Sequence, residues 1–474
     1  MEIRAVIGQL EVFGVKPLQY FNFIAVLRAQ IDADSAPQLS RLGFVDYLEP
    51  EAQRITYDGS PMSAIGTGLP LLALQGGQQT PWGISMVRAP QAWPLSTGQG
   101  ARVLFIDTDR EANHPDLLTL PISNCVGAYG GCDETDPASH GTPVVGVATA
   151  LNNSVGVVGV APAIAASDIF VWAACSGGQC DQANIISGVQ WARTNLGSRG
   201  VINFSLSTDV DIQSLHDVIT QNWLAGQSMV ASAGNIGTTQ IRYPAGWDEV
   251  IGVSGVRQDT VFANPSGSGC TVNSNRGAHV FIAAPFLAQT TSVPSTYGTW
   301  CGNSFSAPHV TGAVALMLAR HPTWDNAKAV SQLKAYSLDR GPVGYDNEYG
   351  YGLLEADLAV GLYQPTNTTG TIVNNRPRIS WGSVLLAVRY DIYRRMMHHG
   401  GSQGHMWAKC AETTSTTWTD FQAIVTSFYG YNTGGTPYPT KGVGYYVEAV
   451  TASGRTSGIN TFVDYVVSSD AAPC

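Results

Sequence analysis

Between residues 80 and 362 the hydrophobic positions alternate between two kinds of run. Short, nearly continuous apolar runs recur at residues 103–106, 169–172, 201–206, 229–233 and 250–256, the signature of strands buried on both faces. Between them lie segments with apolar residues at helical spacing: 141–150, 181–196 (through Ile185, Val189, Ala192 and Leu196), 212–225 and 307–320. Repeated β-α-β units predict an α/β fold, a doubly wound and mostly parallel sheet covered by helices on both faces. Its crossovers should be right-handed and its site should lie at the carboxyl ends of the strands.

The two flanks read differently. In residues 1–77, strand-like runs at 21–28 and 45–48 surround a short helical piece at 36–42, and the Gly-, Ser-, Pro- and Leu-rich stretch 59–77 reads as a linker. Beyond a polar linker at 363–371, short alternating runs at 378–381, 388–394, 415–420, 444–450 and 460–466 show no helical spacing. They predict an all-β sandwich over 372–474.

Composition narrows the picture. Hydrophobic residues make up 44% of the 474 residues and charged residues 13%, which excludes a largely disordered chain. A net charge of −10 without any basic run excludes a protein that grips the phosphate backbone of nucleic acid. The longest apolar stretches, 155–166 and 310–319, fall short of the ~18 residues of a membrane-spanning helix. Eight cysteines, none in a CxxC pattern, favour disulfides and an oxidising compartment. Pairing by closeness in sequence gives 125–132, 175–180, 270–301 and 410–474; a set of buried free thiols is the other reading. The opening MEIRAVIGQLEVFGVKPLQYF lacks the layout of a secretory leader, so the expectation is a sequence truncated at its front.

Acyl transfer by a serine needs an activated hydroxyl, a histidine base, a carboxylate that holds the base, and donors for the oxyanion. Asp107 ends the strand-like VLFID, and His140 opens the apolar helical stretch in SHGTPVVGV. Asn235 ends the strand-like VASAGN, and Ser304 lies in GNSFSAPHVTG just before a helix. Each has an ordinary structural reading as a cap or turn residue. The joint order Asp, His, Asn, Ser is the specific signal.

These stretches, with QTPWGISMVRAPQAW, NHPDL, SHGTPVVGVATALNNSVGVVGVAP, VINFSLS and VIGVSG, resemble the subtilisin-like serine peptidases, the subtilases, over residues 78–362. The resemblance implies a seven-stranded sheet and a secreted, monomeric endopeptidase acting on proteins or peptides. Asp107, His140 and Ser304 would be its triad and Asn235 its oxyanion donor. It implies a structural Ca2+ held by the backbone oxygens of Leu151, Val155 and Val157 and by the side chains of Asn153, Asp116 and Gln78. The other reading of NNS and Asp116 is a polar turn and a helix cap. Gln78 would reach that loop freely only after the N-terminal segment is cut, so processing should raise stability.

Ser205, Leu206 and Ser207, with Ser232, Ala233 and Gly234, match in this resemblance the strands that line the family's primary pocket, and substrate should add there as an extended strand. Ser207 stands where the family usually has Gly. Arg242 falls where the family places a residue at the floor of the primary pocket, and a cation there would favour Glu or Asp before the scissile bond. Alternatively Arg242 turns outward to pair with Asp248 or Glu249. His114 and His309 read as structural, and sequons stand at Asn152 and Asn367.

Residues 21–50 resemble the second half of the subtilase inhibitor prodomain, which implies an intramolecular chaperone and inhibitor; an ordinary small α+β domain is the plainer reading. Self-cleavage is expected between Leu72 and Gln78, near the Gly76-Gly77 pair. Residues 372–474 resemble a fibronectin type III domain. Three positions depart from the peptidase pattern: Asp109 replaces a Gly, Asn303 replaces the usual Thr, and Phe305 stands where Met is common. The Asn303 amide would either take over a contact to the oxyanion or misplace it. Asp109 and Asn303 are the support for a rival class, a non-catalytic adhesion or scaffold protein acting through its β domain.

Overall fold

The computed structural model describes residues 3–51, 55–57, 60–61, 77–133, 140–263, 270–361, 368–384, 387–398, 408–430, 441–450 and 463–467. The chain divides into two compact units, Met1–Val360 and Gly361–Cys474.

The first unit is built on a seven-stranded sheet. From edge to edge its strands are Ile282–Pro285, Val250–Val256, Ser228–Ser232, Val201–Phe204, Val103–Asp107, Ile169–Ala173 and Cys125–Val126. Every pairing is parallel. The inner strands are buried along their whole length, which accounts for their unbroken apolar runs. The chain starts at Val103–Asp107, fills the sheet toward one edge, then crosses back to Val201–Phe204. The order therefore reverses at Val103–Asp107, and its carboxyl end opens into the switch-point crevice where such sheets bind ligands.

Helices follow the expected periods. Gln182–Asn195 starts where the Asp181 carboxylate accepts the Asn184 N–H at 2.7 Å. Gln213–Leu224 follows Ile212, which has no side chain to cap it; the Glu49 carboxylate accepts the Ser214 N–H instead, at 3.2 Å. Asn303–Arg320 is buried along almost its whole length. It starts four residues before the expected start at 307, so Ser304 lies inside the first turn instead of ahead of the helix. Polar residues at 303, 304 and 306 hide that turn in the sequence, because their buried side chains bond Gly234, Ser205 and Pro285 instead of packing on apolar neighbours. The hairpin Leu287–Ser292 with Thr296–Cys301 and the helix Asn326–Tyr336 carry no strong apolar period and were not expected. No helix among the described residues is long and apolar enough to cross a membrane.

The N-terminal residues correct three expectations. The run 21–28 is not one strand: Lys16–Phe21 and Val26–Gln30 form a hairpin around a turn at 22–25, with Ala25 at φ 54°. Residues 45–48 form no strand. Tyr47 there instead donates its hydroxyl to Asp217 Oδ2 at 2.7 Å, which fixes an irregular segment by side chains instead of a ladder. The expected linker 59–77 holds a short strand, Ser60–Pro61.

In the second unit a three-stranded sheet (Thr369–Val373, Arg376–Ser380, Thr417–Thr419) and a five-stranded sheet (Ala408–Thr413, Arg389–His398, Lys441–Val450, Val463–Val467, Val425–Gly430) share one core. Ile379 and Trp381 pack with Ile392, Tyr445 and Val447, so the two sheets form a sandwich. Its buried ion pair, Arg394 with Asp420 at 2.5 Å, is completed by the Tyr445 hydroxyl, which donates to Asp420 at 2.6 Å. The strand Thr369–Val373 begins inside the expected linker 363–371. Disulfides join Cys125 to Cys132, Cys175 to Cys180 and Cys270 to Cys301. The expected Cys410–Cys474 pair falls on Cys474, outside the described residues.

Candidate active site

Asp107 stands at the carboxyl end of its strand and His140 at the N-cap of Gly141–Thr149. Both are fully buried, and His140 Nδ1 lies 2.8 Å from Asp107 Oδ1. The same oxygen accepts the Thr108 N–H at 2.7 Å, and the Gly141 N–H donates to Thr108 Oγ1 at 2.7 Å. These bonds lock strand end to helix start. With Nδ1 donating to the carboxylate, Nε2 keeps its lone pair; it is buried and makes no hydrogen bond.

Ser304 is reached from the other side of the crevice. Its hydroxyl donates to the Ser205 carbonyl at 3.1 Å, and Ser205 Oγ donates back to the Ser304 carbonyl at 2.6 Å. Asn203 Nδ2 supports Ser205 Oγ at 2.9 Å, and Thr311 supports Asn203 at 2.9 Å. The sequence named Ser205 only as a substrate-lining residue; Asn203 and Thr311 it did not single out, since a lone polar residue in an apolar element carries no hint of its distant partner. The Phe305 ring sits 5.5 Å from that of His140, which brings the helix start beside the imidazole. Asn235 Oδ1 accepts the Asn303 N–H at 2.8 Å, so the carboxamide is oriented by the backbone just before Ser304.

The departures resolve structurally. Asn303 Nδ2 donates to the Gly234 carbonyl at 2.7 Å and to Ser274 Oγ at 3.0 Å. Its amide is thus engaged by two neighbours, while its backbone N–H orients Asn235. Asp109 accepts the N–H groups of Arg110 at 2.8 Å and Asp133 at 3.2 Å, and burial raises its pKa. The adjacent Arg110 is wholly buried against the carbonyls of Glu111, Ala112 and Leu118, and burial pulls it down to about 10. His309 Nδ1 bonds the Phe305 carbonyl at 2.7 Å, and burial holds its pKa down at about 4. His114 accepts the Asp116 N–H at Nδ1, 3.1 Å away.

Ser205, Leu206, Ser207, Ser232, Ala233 and Gly234 are all buried; Ser205 bonds Ser304 directly, and the Gly234 carbonyl accepts from Asn303 beside it. Arg242 turns inward against them and is 9% exposed. Gly234, at φ 94°, leaves room for its stem: a Cβ there would lie 2.6 Å from Arg242 Cγ. Arg242 Nε donates to Ser207 Oγ at 3.2 Å. The outward alternative fails, because Glu249 is occupied by His216 and Thr220, each at 3.1 Å, and Asp248 is exposed.

The residues expected to hold calcium also converge. Gln78 Nε2 donates to the carbonyls of both Leu151 and Val157, at 2.5 and 3.2 Å. Asp116 Oδ2 accepts the Val157 N–H at 2.6 Å, while its Oδ1 is buried without a hydrogen bond. Gly156, at φ 55°, permits this approach, since a Cβ there would lie 2.1 Å from Asp116 Oδ2. Asn153 Oδ1 accepts the Val155 N–H at 3.0 Å. Two converging carbonyls and an unsatisfied carboxylate oxygen fit a hard cation. Among the described residues no three His, Cys, Asp or Glu cluster for a metal, as a carbonyl-rich set with one carboxylate would not require. Gln78 sits on this loop in the uncut chain, which corrects the expectation that it reaches the loop only after a cut.

A buried imidazole tied to a carboxylate, beside a serine at a helix start, is the apparatus of serine acyl transfer. Comparison with known proteins agrees with it. Residues 98–352 match the model of the subtilase family. Subtilisin E of Bacillus subtilis (strain 168) is 31% identical over 356 residues, 73% of this chain and 83% of that protein. Subtilisin of Bacillus pumilus is 35% identical over 292 residues, 60% of this chain and 99% of its own length. An alkaline protease of Shouchella clausii is 31% identical over 357 residues, 75% and 84% of the two chains. The chain belongs to the subtilase family of serine peptidases.

Proposed function

We propose that the protein is a secreted serine endopeptidase, made as a self-processing zymogen and acting as a monomer on protein and peptide substrates. The observation that carries the reading is the buried Asp107–His140 pair at 2.8 Å with Nε2 unpartnered beside the start of the Ser304 helix. Rotation of the Ser304 side chain away from the Ser205 carbonyl delivers its hydroxyl to Nε2. His140 takes the proton as Oγ attacks the substrate carbonyl, then gives it to the departing amine. Water releases the acyl group by the reverse sequence. Asp107 holds the imidazole in the Nδ1–H tautomer and stabilises its charged form. The Asn235 carboxamide and the Ser304 N–H receive the oxyanion, aided by the positive end of the Asn303–Arg320 helix.

The three disulfides among the described residues support an oxidising, extracellular setting. Gln78, Asp116, Leu151, Asn153, Val155 and Val157 would hold Ca2+, which supplies no chemistry to the reaction and ties the loop 151–157 to the chain at Gln78. The N-terminal residues serve as inhibitor and folding aid, and the second unit as a fibronectin type III-like module. The scaffold alternative gains nothing, because Asp109 and Asn303 leave the triad undisturbed. The test is labelling by a serine-directed phosphonate. Wild type should be labelled at Ser304 and should digest a protein substrate; Ser304→Ala should do neither. Absence of label on the folded wild type would overturn the reading.

A further inference from the structure

The N-terminal segment crosses the cleft on both sides of Ser304. Cys180 donates its N–H to the Ile55 carbonyl at 2.9 Å, and Thr56 and Tyr57 pair antiparallel with Ser207 and Leu206. Tyr57 lays its ring on His140, with centroids 4.7 Å apart. Further along, Ser60 and Pro61 pair antiparallel with Cys301 and Trp300, the strand that leads into Ser304. Two residues, Asp58 and Gly59, join the halves in the sequence; they lie outside the described residues, and the argument rests on the strands that bracket them. An extended chain paired on both sides of a nucleophile is held as a substrate is held.

Side chains alternate along an extended strand. A bound residue that follows one facing His140 is therefore directed to the opposite wall of the cleft, between 205–207 and 232–234. That wall carries Arg242, whose Nε bonds Ser207 and which has no carboxylate within ion-pairing distance among the described residues. A buried cation with one hydroxyl partner is matched by an acidic side chain. The residue that follows Tyr57 is Asp58.

We propose that Arg242 makes this peptidase selective for an acidic residue immediately before the scissile bond, and that its first substrate is its own Asp58–Gly59 bond. This rests on the serine-endopeptidase reading above and names its substrate class. In the self-cut, water supplies a hydroxyl to the Asp58 carbonyl and a proton to the Gly59 amine, and no other reactant enters. The cut replaces the one expected between Leu72 and Gln78; of that stretch, residues 72–76 lie outside the described residues.

The full chain and its Ser304→Ala variant are followed by intact mass and N-terminal sequencing. The expected result is a new N-terminus at Gly59 in wild type and none in the variant; a start within 72–78, or directly after Tyr57, overturns the assigned bond. On peptides that differ only at the residue before the bond, the processed enzyme should favour Asp or Glu over Leu or Phe by about a hundredfold in kcat/KM; an equal or apolar preference overturns the role of Arg242. Arg242→Leu should leave the bond after residue 58 uncut, and Arg242→Leu combined with Asp58→Leu should restore cutting there. A single variant that cuts after Asp58 at the wild-type rate overturns it. Loss of the underlying peptidase reading looks different: Ser304 takes no phosphonate and no peptide of the panel is hydrolysed.

Discussion

Tyr57 lies face to face with His140, ring centroids 4.7 Å apart and planes inclined by 29°. Its hydroxyl accepts the Gly178 N–H at 2.9 Å, so the ring is anchored at both ends. The candidate base is thereby covered by the chain's own N-terminal segment. A synthetic peptide of residues 44–57 should inhibit the processed enzyme. Tyr57→Ala in that peptide should raise its inhibition constant by roughly thirtyfold, the loss of about 2 kcal/mol of aromatic burial. An unchanged constant would make the stacking incidental.

Asn235 is oriented by the Asn303 N–H, which its Oδ1 accepts at 2.8 Å. Asn235→Ala should lower kcat by about 10²–10³-fold with little change in KM. Asn303→Ala removes only the support of Gly234 and Ser274 and should cost less. Steady-state kinetics on one peptide compares the two, and a larger loss at Asn303 would reverse the assignment of roles.

His309 should make stability depend on pH. Burial lowers its folded-state pKa from 6.5 to about 4. Between those values the unfolded chain binds a proton that the folded chain refuses, so stability rises with pH across this window and is lost on acidification. The contribution is on the order of 3 kcal/mol. Denaturant melts at pH 4 and 6.5 should show that slope in wild type and a smaller one in His309→Gln.

Because Gln78 already sits on the loop 151–157 in the uncut chain, metal loading should not await processing. A chelator should lower the Tm of Ser304→Ala, which cannot process itself, as much as that of the mature enzyme. Asp116→Ala should abolish the chelator's effect in both. Calorimetry with and without calcium decides it, and a chelator effect confined to processed protein would contradict this seating.

Phe305 fills the place beside the nucleophile, packed 5.6 Å from Trp300 and 5.5 Å from His140. With no thioether there to oxidise, activity should survive moderate peroxide, whereas Phe305→Met should lose activity with time. Residual activity after timed exposure, with mass mapping of residues 303–306, checks both.

The core strands were legible because burial on both faces leaves uninterrupted apolar runs such as 103–106 and 250–256. Asp107, His140 and Ser304 were legible as candidates because each ends one of those runs or stands at the start of a helix. Other features depend on partners remote in sequence. The first turn of the Ser304 helix is polar because it faces the crevice. The hairpin Leu287–Ser292 and Thr296–Cys301 is half-exposed and rich in Thr and Ser, so its alternation is weak. The run 45–48 is apolar yet irregular, since Tyr47 and Glu49 reach residues 214 and 217 by side chain. The Ser205–Ser304 lock spans a separation of 99 residues, and neither serine announces the other.

Cys301 stands three residues before Ser304, and Cys270 holds it from a separate loop. The wall of the crevice that receives Ser60 and Pro61 is thus fastened by sulfur instead of by packing alone. Cys301 is wholly buried, so this tie is shielded from solvent, and the ribbon that ends just ahead of Ser304 is anchored across 31 positions of sequence.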